Sequence, residues 1–455
     1  MLRAKDIAYG LLNCMGKHTV TGLLSACGKQ FKDWSTAYRL FKCDKMDVEC
    51  LFGVARKELI DNELNQQPVI YAHMDDTILK KTGRKVVGAA WRRDPLGPPF
   101  STNFIWGQRF IQLSLSLPEK TGISRARAIP VDFYHCPTVS KPKKQDGEQA
   151  WKDYQEKQKQ AKLSKKGLER IKSLRENLDI DGATNKQLII SVDGSYSNET
   201  VLKDLPERTT IIGRIRKDTK LNDIPDYSQK GVGRNRIYGA DLPTPEQTRQ
   251  DSQIPWDQVQ AYAAGKTHTF NVKVVKNIRW RKSGKQNLQL VIIRPLSYRL
   301  TKQSKLLYRQ PAYLICTDPK LDITQLLQAY LWRWEIEVNF KEEKSNFGCG
   351  QAQVRTPKAV EKVPAFIAVI YSFILIAAHR STIKAENKQV LRTKWYPKER
   401  SIRITTGDIV NQFRAQLWAK SMDINFTHFV KLHNSMRSAK NSVNPTISAA
   451  LYARN

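Results

Sequence analysis

The chain has 455 residues, 40% of them hydrophobic, and carries 76 Lys and Arg against 43 Asp and Glu, a formal charge of +33. One core stops growing near ~250–300 residues, so this length fits a large catalytic domain with smaller attachments. A charge this large, spread along the whole chain, repels itself unless it meets a polyanion; that puts nucleic acid ahead of an anionic membrane surface and makes a merely solubilising basic surface a weak alternative.

The seven cysteines, Cys14, Cys27, Cys43, Cys50, Cys136, Cys316 and Cys349, are scattered and form no C-x-x-C pair. That pattern predicts a reducing cytoplasm and argues against a disulfide framework or a zinc finger. His135-Cys136 has no partner pair at ligand spacing and is read as structural. The opening MLRAKDIAYGLLNCMGKHTV lacks the sustained apolar run of a signal peptide.

Residues 1–66 read as an all-helical head: FKDWSTAYRLFKCDKMDVECLFGVARKELI sets its apolar positions at helical spacing, without strand-like alternation. From about residue 68 the pattern changes. PVIYAHMDDT is a short apolar run ending in acid, and KVVGAAWRR, NFIWGQRFIQLSLSL and RARAIPVDFYHC follow as strand candidates. The lysine-rich stretch from 139 to about 178 carries a helical stripe through Leu163, Leu168, Ile171 and Leu174, which predicts a half-solvated helix outside a sheet. KQLIISVDGSYSN is an unbroken apolar run, so it predicts a strand buried on both faces in mid-sheet, ending in Asp193 and a Gly194-Ser195 turn. Further strand candidates (TTIIGRIRK, HTFNVKVVKNIRW, LQLVIIRPL, AYLICTD) fill 209–318 before a helix over 322–346. VPAFIAVIYSFILIAA, Val363 to Ala378, is short for a membrane span and is interrupted by Tyr371 and Ser372; it predicts a buried helix with Pro364 in its first turn, and no membrane partner.

Three acids stand out by position: Asp75 or Asp76 at the end of one strand, Asp193 at the end of a central strand, and Glu337 on the helix. Sites in α/β sheets gather at the carboxyl ends of strands, so the three have the means to converge. Converging carboxylates repel, and the usual resolution is a divalent ion with hard oxygen ligands, Mg2+ or Mn2+; two such ions can activate a water and stabilise the leaving oxygen of a phosphodiester. Taken singly, each acid has a plain reading as a turn, an N-cap or half of a surface ion pair. The stretch YLWRWEIEVNFKEEK alters the odds. At ~100° per residue, Tyr330, Arg333, Glu337 and Lys344 project from one face within an arc of roughly 60°, with Leu327, Leu331, Trp334 and Val338 as the adjoining apolar stripe. A carboxylate between two cations and a phenol suits a metal-bound phosphate.

The spacing Y-x2-R-x3-E-x6-K resembles the signature of the DDE transposases of bacterial insertion sequences, in the branch that cuts and pastes through DNA hairpins. STAYRLFK, VIYAHMDDT and LIISVDGSYSN are similar, in order, to that branch's N-terminal segment and its two aspartate strands, and the gap of 144 positions from Asp193 to Glu337 is one that this branch fills with a β-strand insertion. The resemblance implies that Asp75, Asp193 and Glu337 are catalytic metal ligands for Mg2+ or Mn2+, two ions in number. Asp75 is preferred to Asp76 because acid, any residue, then Thr is the pattern. It also implies that Tyr330, Arg333 and Lys344 contact DNA and that Tyr313 holds a flipped base, against a plain reading of Tyr313 as a core strand residue. Lys80, Lys81 and Arg84 either bind phosphate or solvate a loop.

The architecture expected is α/β: a ribonuclease H-like core, a mixed sheet with flanking helices, interrupted by a β-rich insertion and bounded by helical N- and C-terminal regions. The divisions are a helical DNA-binding head at 1–66, core at 67–208, insertion at 209–318, core again at 319–384, and a helical region for dimerisation or DNA contact at 385–455. The function implied is an insertion-sequence transposase of the prokaryotic cytoplasm, nucleoid-associated, acting as a homodimer on double-stranded DNA at terminal inverted repeats and target sites. The alternatives are a nuclease of the same fold and a catalytically silent DNA-binding relic or inhibitor.

Overall fold

The computed structural model describes residues 2–94, 97–98, 100, 103–119, 122–226, 235–299, 303–383, 404–426 and 445–451. Four helices come first: α1 (Leu2–Asn13), α2 (Val20–Ala26), α3 (Ser35–Lys42) and α4 (Val48–Asn62). Local chemistry sets their starts, for the Thr19 and Asp47 side chains accept from the backbone N–H groups of Gly22 and Cys50 and so satisfy first-turn donors. α4 buries Phe52, Ala55, Arg56, Leu59 and Ile60, and Arg56 forms a buried ion pair with Asp181.

Next come β1 (Val69–Lys80), β2 (Ala90–Arg93), β3 (Phe104–Pro118) and β4 (Ala126–Cys136), then α5 (Gly147–Gln160), α6 (Leu163–Ile180), β5 (Gln187–Val192), α7 (Glu199–Leu202) and β6 (Thr209–Arg214). β1 pairs antiparallel with β3, and β3 with β4, while β1 pairs parallel with β5 and β5 with β6. The unbroken apolar run in β5 therefore lies in mid-sheet, and its alternation serves two layers. Ile189 packs with Ile212 and with Leu326 and Leu327 on one face; Leu188 and Ile190 belong with Ile171, Leu174 and Leu178 of α6 on the other.

The sheet continues through β14 (Ala312–Cys316), antiparallel to β6, then β11 (Leu288–Ile293) and β10 (Lys266–Arg279), with β7 (Leu221–Asp223), β8 (Asp241–Leu242) and β9 (Asp257–Ala263) beyond. The short α8 (Pro245–Gln250) lies between β8 and β9, and a separate ribbon pairs β12 (Ser297–Tyr298) with β13 (Leu307–Tyr308).

Two helical expectations are corrected. The helix expected over 322–346 is broken at Arg333 into α9 (Ile323–Trp332) and α10 (Trp334–Ser345), where the Arg333 N–H reaches Tyr330 O and the Ile336 N–H reaches Arg333 O in tighter i to i−3 bonds. The buried face of α10 is also not the expected one. Trp334 is 58% exposed, and α10 instead buries Glu335, Ile336, Asn339, Phe340 and Glu343. The second correction is α11 (Pro357–Ile383), which starts seven residues before Pro364 and holds that proline inside. Pro357 already supplies the fixed φ and missing N–H that suit a helix start. α11 is long and apolar enough to cross a membrane, but most of its apolar window is buried inside the fold, against β4 and α4 among others. Past it lie α12 (Thr406–Ser421) and α13 (Pro445–Leu451); of the expected 385–455 region, 385–403, 427–444 and 452–455 lie outside the described residues.

Candidate active site

The acid cluster rests on the parallel β1–β5 pair. Met74 is in register with Val192, so the residue that follows each of them, Asp75 and Asp193, lies at the same sheet end. Gly194 N–H donates to Asp193 Oδ1 at 2.6 Å and Tyr196 N–H to the Asp193 carbonyl at 3.1 Å, which fixes the turn after β5. Gly213 on β6 lets that turn lie close, since a Cβ there would fall 2.1 Å from Ser197 Oγ.

The two adjacent aspartates face opposite ways, as neighbours on a strand must. Asp75 Oδ2 receives Arg333 Nη1 at 2.8 Å, and Arg333 Nη2 lies 3.3 Å from Glu337 Oε1. Asp76 Oδ2 lies 3.2 Å from Arg109 Nε, and Asp76 Oδ1 accepts from the Tyr196 hydroxyl at 3.3 Å. Arg333 thus links Asp75 to Glu337, while Asp76 belongs to the α6 side of the sheet, where Tyr196 packs against Gly167.

The electrostatics follow from crowding. Burial, reinforced by Asp76 and Asp193, pushes the Asp75 carboxyl up to about 7 against the pull of Arg333. Asp76 is also raised, chiefly by burial, with Arg109 and the Tyr196 hydroxyl opposing. Tyr330 is half-buried and its phenol is raised by burial; Arg214, Arg333, Asp193 and Glu337 all lie within electrostatic reach of it. Beneath the cluster, fully buried His73 bonds Ser116 at 2.6 Å and is pushed down to about 3 by burial and then by Arg333, so it is neutral.

α10 is held over this edge by a polar underside. Asn339 donates to Ala128 O at 3.0 Å, Ser124 Oγ to Glu335 Oε1 at 2.5 Å, and the Gln112 amide, turned toward Glu343, donates to Oε1 at 2.9 Å. Because Gln112 is the cross-strand partner of Asp75, these bonds set the helix above Asp75.

The structure therefore brings Asp75, Asp193, Tyr330, Arg333 and Glu337 to one sheet end. Lys344 is exposed at the last turn of α10, its ammonium 6.0 Å from the Phe340 ring. Tyr313 is 6% exposed and its hydroxyl donates to Glu246 in α8, so its polar end is engaged within the strand region. Arg109, Arg214 and Tyr196 are site neighbours that sequence reasoning missed. Their only signals were alternation along β3, the terminal position on β6, and the Gly194 turn.

Among the described residues, no three His, Cys, Asp or Glu side chains stand together at metal-ligand spacing, and a guanidinium holds the place between Asp75 and Glu337. A family profile described as DDE superfamily endonuclease matches residues 1–287, a span that includes Asp75 and Asp193 and stops short of Glu337. No curated protein matches the chain. With well over half its length matched, the chain belongs to the DDE superfamily endonuclease family.

Proposed function

We propose that this endonuclease-family chain is the transposase of an insertion sequence, which binds terminal inverted repeats and catalyses metal-dependent cleavage and strand transfer through hairpin intermediates. The observation that carries this reading is the Asp75–Arg333–Glu337 bridge beside Asp193, which joins acids from three distant segments at one sheet end. A ribonuclease H-like core is supported by the strand order β4-β3-β1-β5, antiparallel on one side of β1 and parallel on the other. On this reading 1–66 is a DNA-binding head, 67–208 and 319–384 are the core, 209–318 is the insertion, and 385–455 serves dimerisation or DNA contact.

By its chemistry the donor set suits a divalent ion, which would have to displace Arg333 from between Asp75 and Glu337. Asp75, Asp193 and Glu337 offer hard oxygens, and Asp75 and Asp193 lie within electrostatic reach of each other. Those three side chains would hold Mg2+ or Mn2+, and the ions would supply Lewis-acid activation of a water or hydroxyl nucleophile. Arg333 keeps the carboxylates together until DNA enters, then turns to phosphate oxygens alongside Tyr330 and Lys344. The +33 charge favours a long phosphate track and steep salt dependence. Cutting two ends in concert implies a homodimer on DNA.

The test incubates purified protein with its element's end DNA and Mg2+, Mn2+ or EDTA, wild type beside Glu337→Ala, with products resolved on a denaturing gel. Metal-dependent nicks and hairpins at the element boundary, absent from the variant, are expected. Tight binding without cleavage in either metal would instead make the protein a silent DNA-binding relic.

A further inference from the structure

The end of the sheet that carries the acids also carries an exposed aromatic ladder that the proposed chemistry leaves unused. β1 runs on past Asp76 and pairs with the start of β3, which pairs in turn with the edge strand β2. Trp91 and Trp106 are cross-strand partners with rings 5.8 Å apart and nearly perpendicular, and Arg93 pairs with Phe104. Trp106 is anchored, its indole N–H donating to Gly83 O at 3.1 Å, whereas Trp91 and Phe104 are 55% and 59% exposed. The exposed Arg84 guanidinium lies 4.6 Å from the Trp91 ring and 5.4 Å from that of Trp106.

Charge and position point to an anionic occupant. Residues 80–109 hold seven Lys and Arg and one acid, Asp94, which pairs with Lys80 at 3.7 Å. Among the described residues no carboxylate pairs with Arg84, Lys85 or Arg93. Alternation puts Trp106 on the sheet face of Gln112, the partner of Asp75, six residues away along β3 or ~20 Å. An indole open to solvent, with the Arg84 guanidinium over its ring and Arg93 two residues along the same strand, has the chemistry that holds a base by its π-face and its phosphate by charge.

We infer that Trp91, Trp106 and Arg84 form a stacking platform for unpaired bases of a DNA strand leading to the acid cluster. This rests on the DNA-cleaving reading above. Stacking needs a base out of the duplex, so the platform distinguishes single strands from paired DNA, whereas the general basic surface does not.

The experiment measures binding of the full-length protein to fluorescein-labelled oligothymidylate of about 20 nucleotides and to a duplex of the same length, by anisotropy. Trp91 is exposed, so Trp91→Ala opens no core cavity. Trp91→Ala is expected to weaken oligothymidylate binding about tenfold and duplex binding less than about twofold, with Trp91→Phe restoring most of the loss. Unchanged oligothymidylate binding by Trp91→Ala, or equal losses on both probes, would overturn the platform. So would a dimer that becomes monomeric in Trp91→Ala with DNA binding intact, because the ladder would then cover a second copy. If wild type cleaves DNA in metal while Trp91→Ala binds like wild type, the platform alone fails; if wild type binds neither probe, the DNA-cleaving reading fails with it.

Discussion

α10 carries two kinds of glutamate, and substituting one of each separates chemistry from stability. Glu337 is 40% exposed at its side chain and makes one i,i+4 contact to Arg333 at 3.3 Å. Such a pair contributes ~0.3–0.5 kcal/mol, so Glu337→Gln is expected to move Tm by no more than about 2 °C. Cleavage is expected to fall by about 100- to 1000-fold or more, the size of effect that follows when one group stabilising transition-state charge is lost. Glu343 is 1% exposed, and burial raises its carboxyl well above the ordinary value, with Glu342 adding to the rise and Lys344 opposing it. An unfolded glutamate ionises near ~4.3, so across the interval up to the folded value the folded state binds the extra proton. Stability from Glu343 is therefore fully present below that unfolded value and is lost as pH rises through the folded one. Glu343→Gln cannot ionise and should equal wild type in Tm near pH 4 and exceed it increasingly toward pH 8, by thermal melts across that range. Cleavage retained by Glu337→Gln, or a Tm difference for Glu343→Gln that shrinks as pH rises, would refute the division between an exposed working acid and a buried structural one.

Arg56 and Asp181, 9% and 8% exposed, tie α4 to the end of α6; Arg56→Ala should cost about 3–5 kcal/mol in urea unfolding by stranding a buried carboxylate, and the double variant Arg56→Met, Asp181→Leu should recover much of it. Gly213→Ala puts a methyl 2.1 Å from Ser197 Oγ and 3.1 Å from Val192 Cγ2, so the Ser197 hydroxyl must turn away, and should cost about 1–3 kcal/mol in thermal melts. Glu246 is held down to about 2, chiefly by Arg249 and then by the Tyr313 hydroxyl. Tyr313→Phe should therefore cost about 1 kcal/mol in thermal melts and leave cleavage at the wild-type rate; lost cleavage with unchanged Tm would return Tyr313 to the DNA.

What was legible in the sequence was whatever depends on local pattern. The run LIISV could be placed in mid-sheet because alternation is absent, and both faces of β5 are buried for that reason. The convergence of Tyr330, Arg333 and Glu337 could be read from helical spacing, since even with the break they span only two turns. Which of Asp75 and Asp76 faces α10 could not. Adjacent strand residues point to opposite faces, and which face meets α10 is decided by the pairing of Asp75 with Gln112, a partner 37 positions away that no local pattern reveals.

The break at Arg333 was illegible for a different reason. Neither glycine nor proline stands there, and counting apolar residues across Leu331, Trp334 and Val338 assigns the buried stripe to the wrong side. The side that is buried holds Glu335, Asn339 and Glu343, polar residues admitted to the interior because Ser124, Ala128, Tyr371 and Gln112 meet their hydrogen bonds from other segments. A hydrophobic count registers only Ile336 and Phe340 of that face, because its other members are polar and their partners are distant in sequence. The arrangement has a mechanical consequence: polar contacts with few geometric solutions fix the rotation of α10, and that rotation aims Glu337 and Arg333 at Asp75. The interior glutamates are thus the reason Glu337 lies beside Asp75, and the same feature that hid the helix phase from the sequence holds the acid cluster in register.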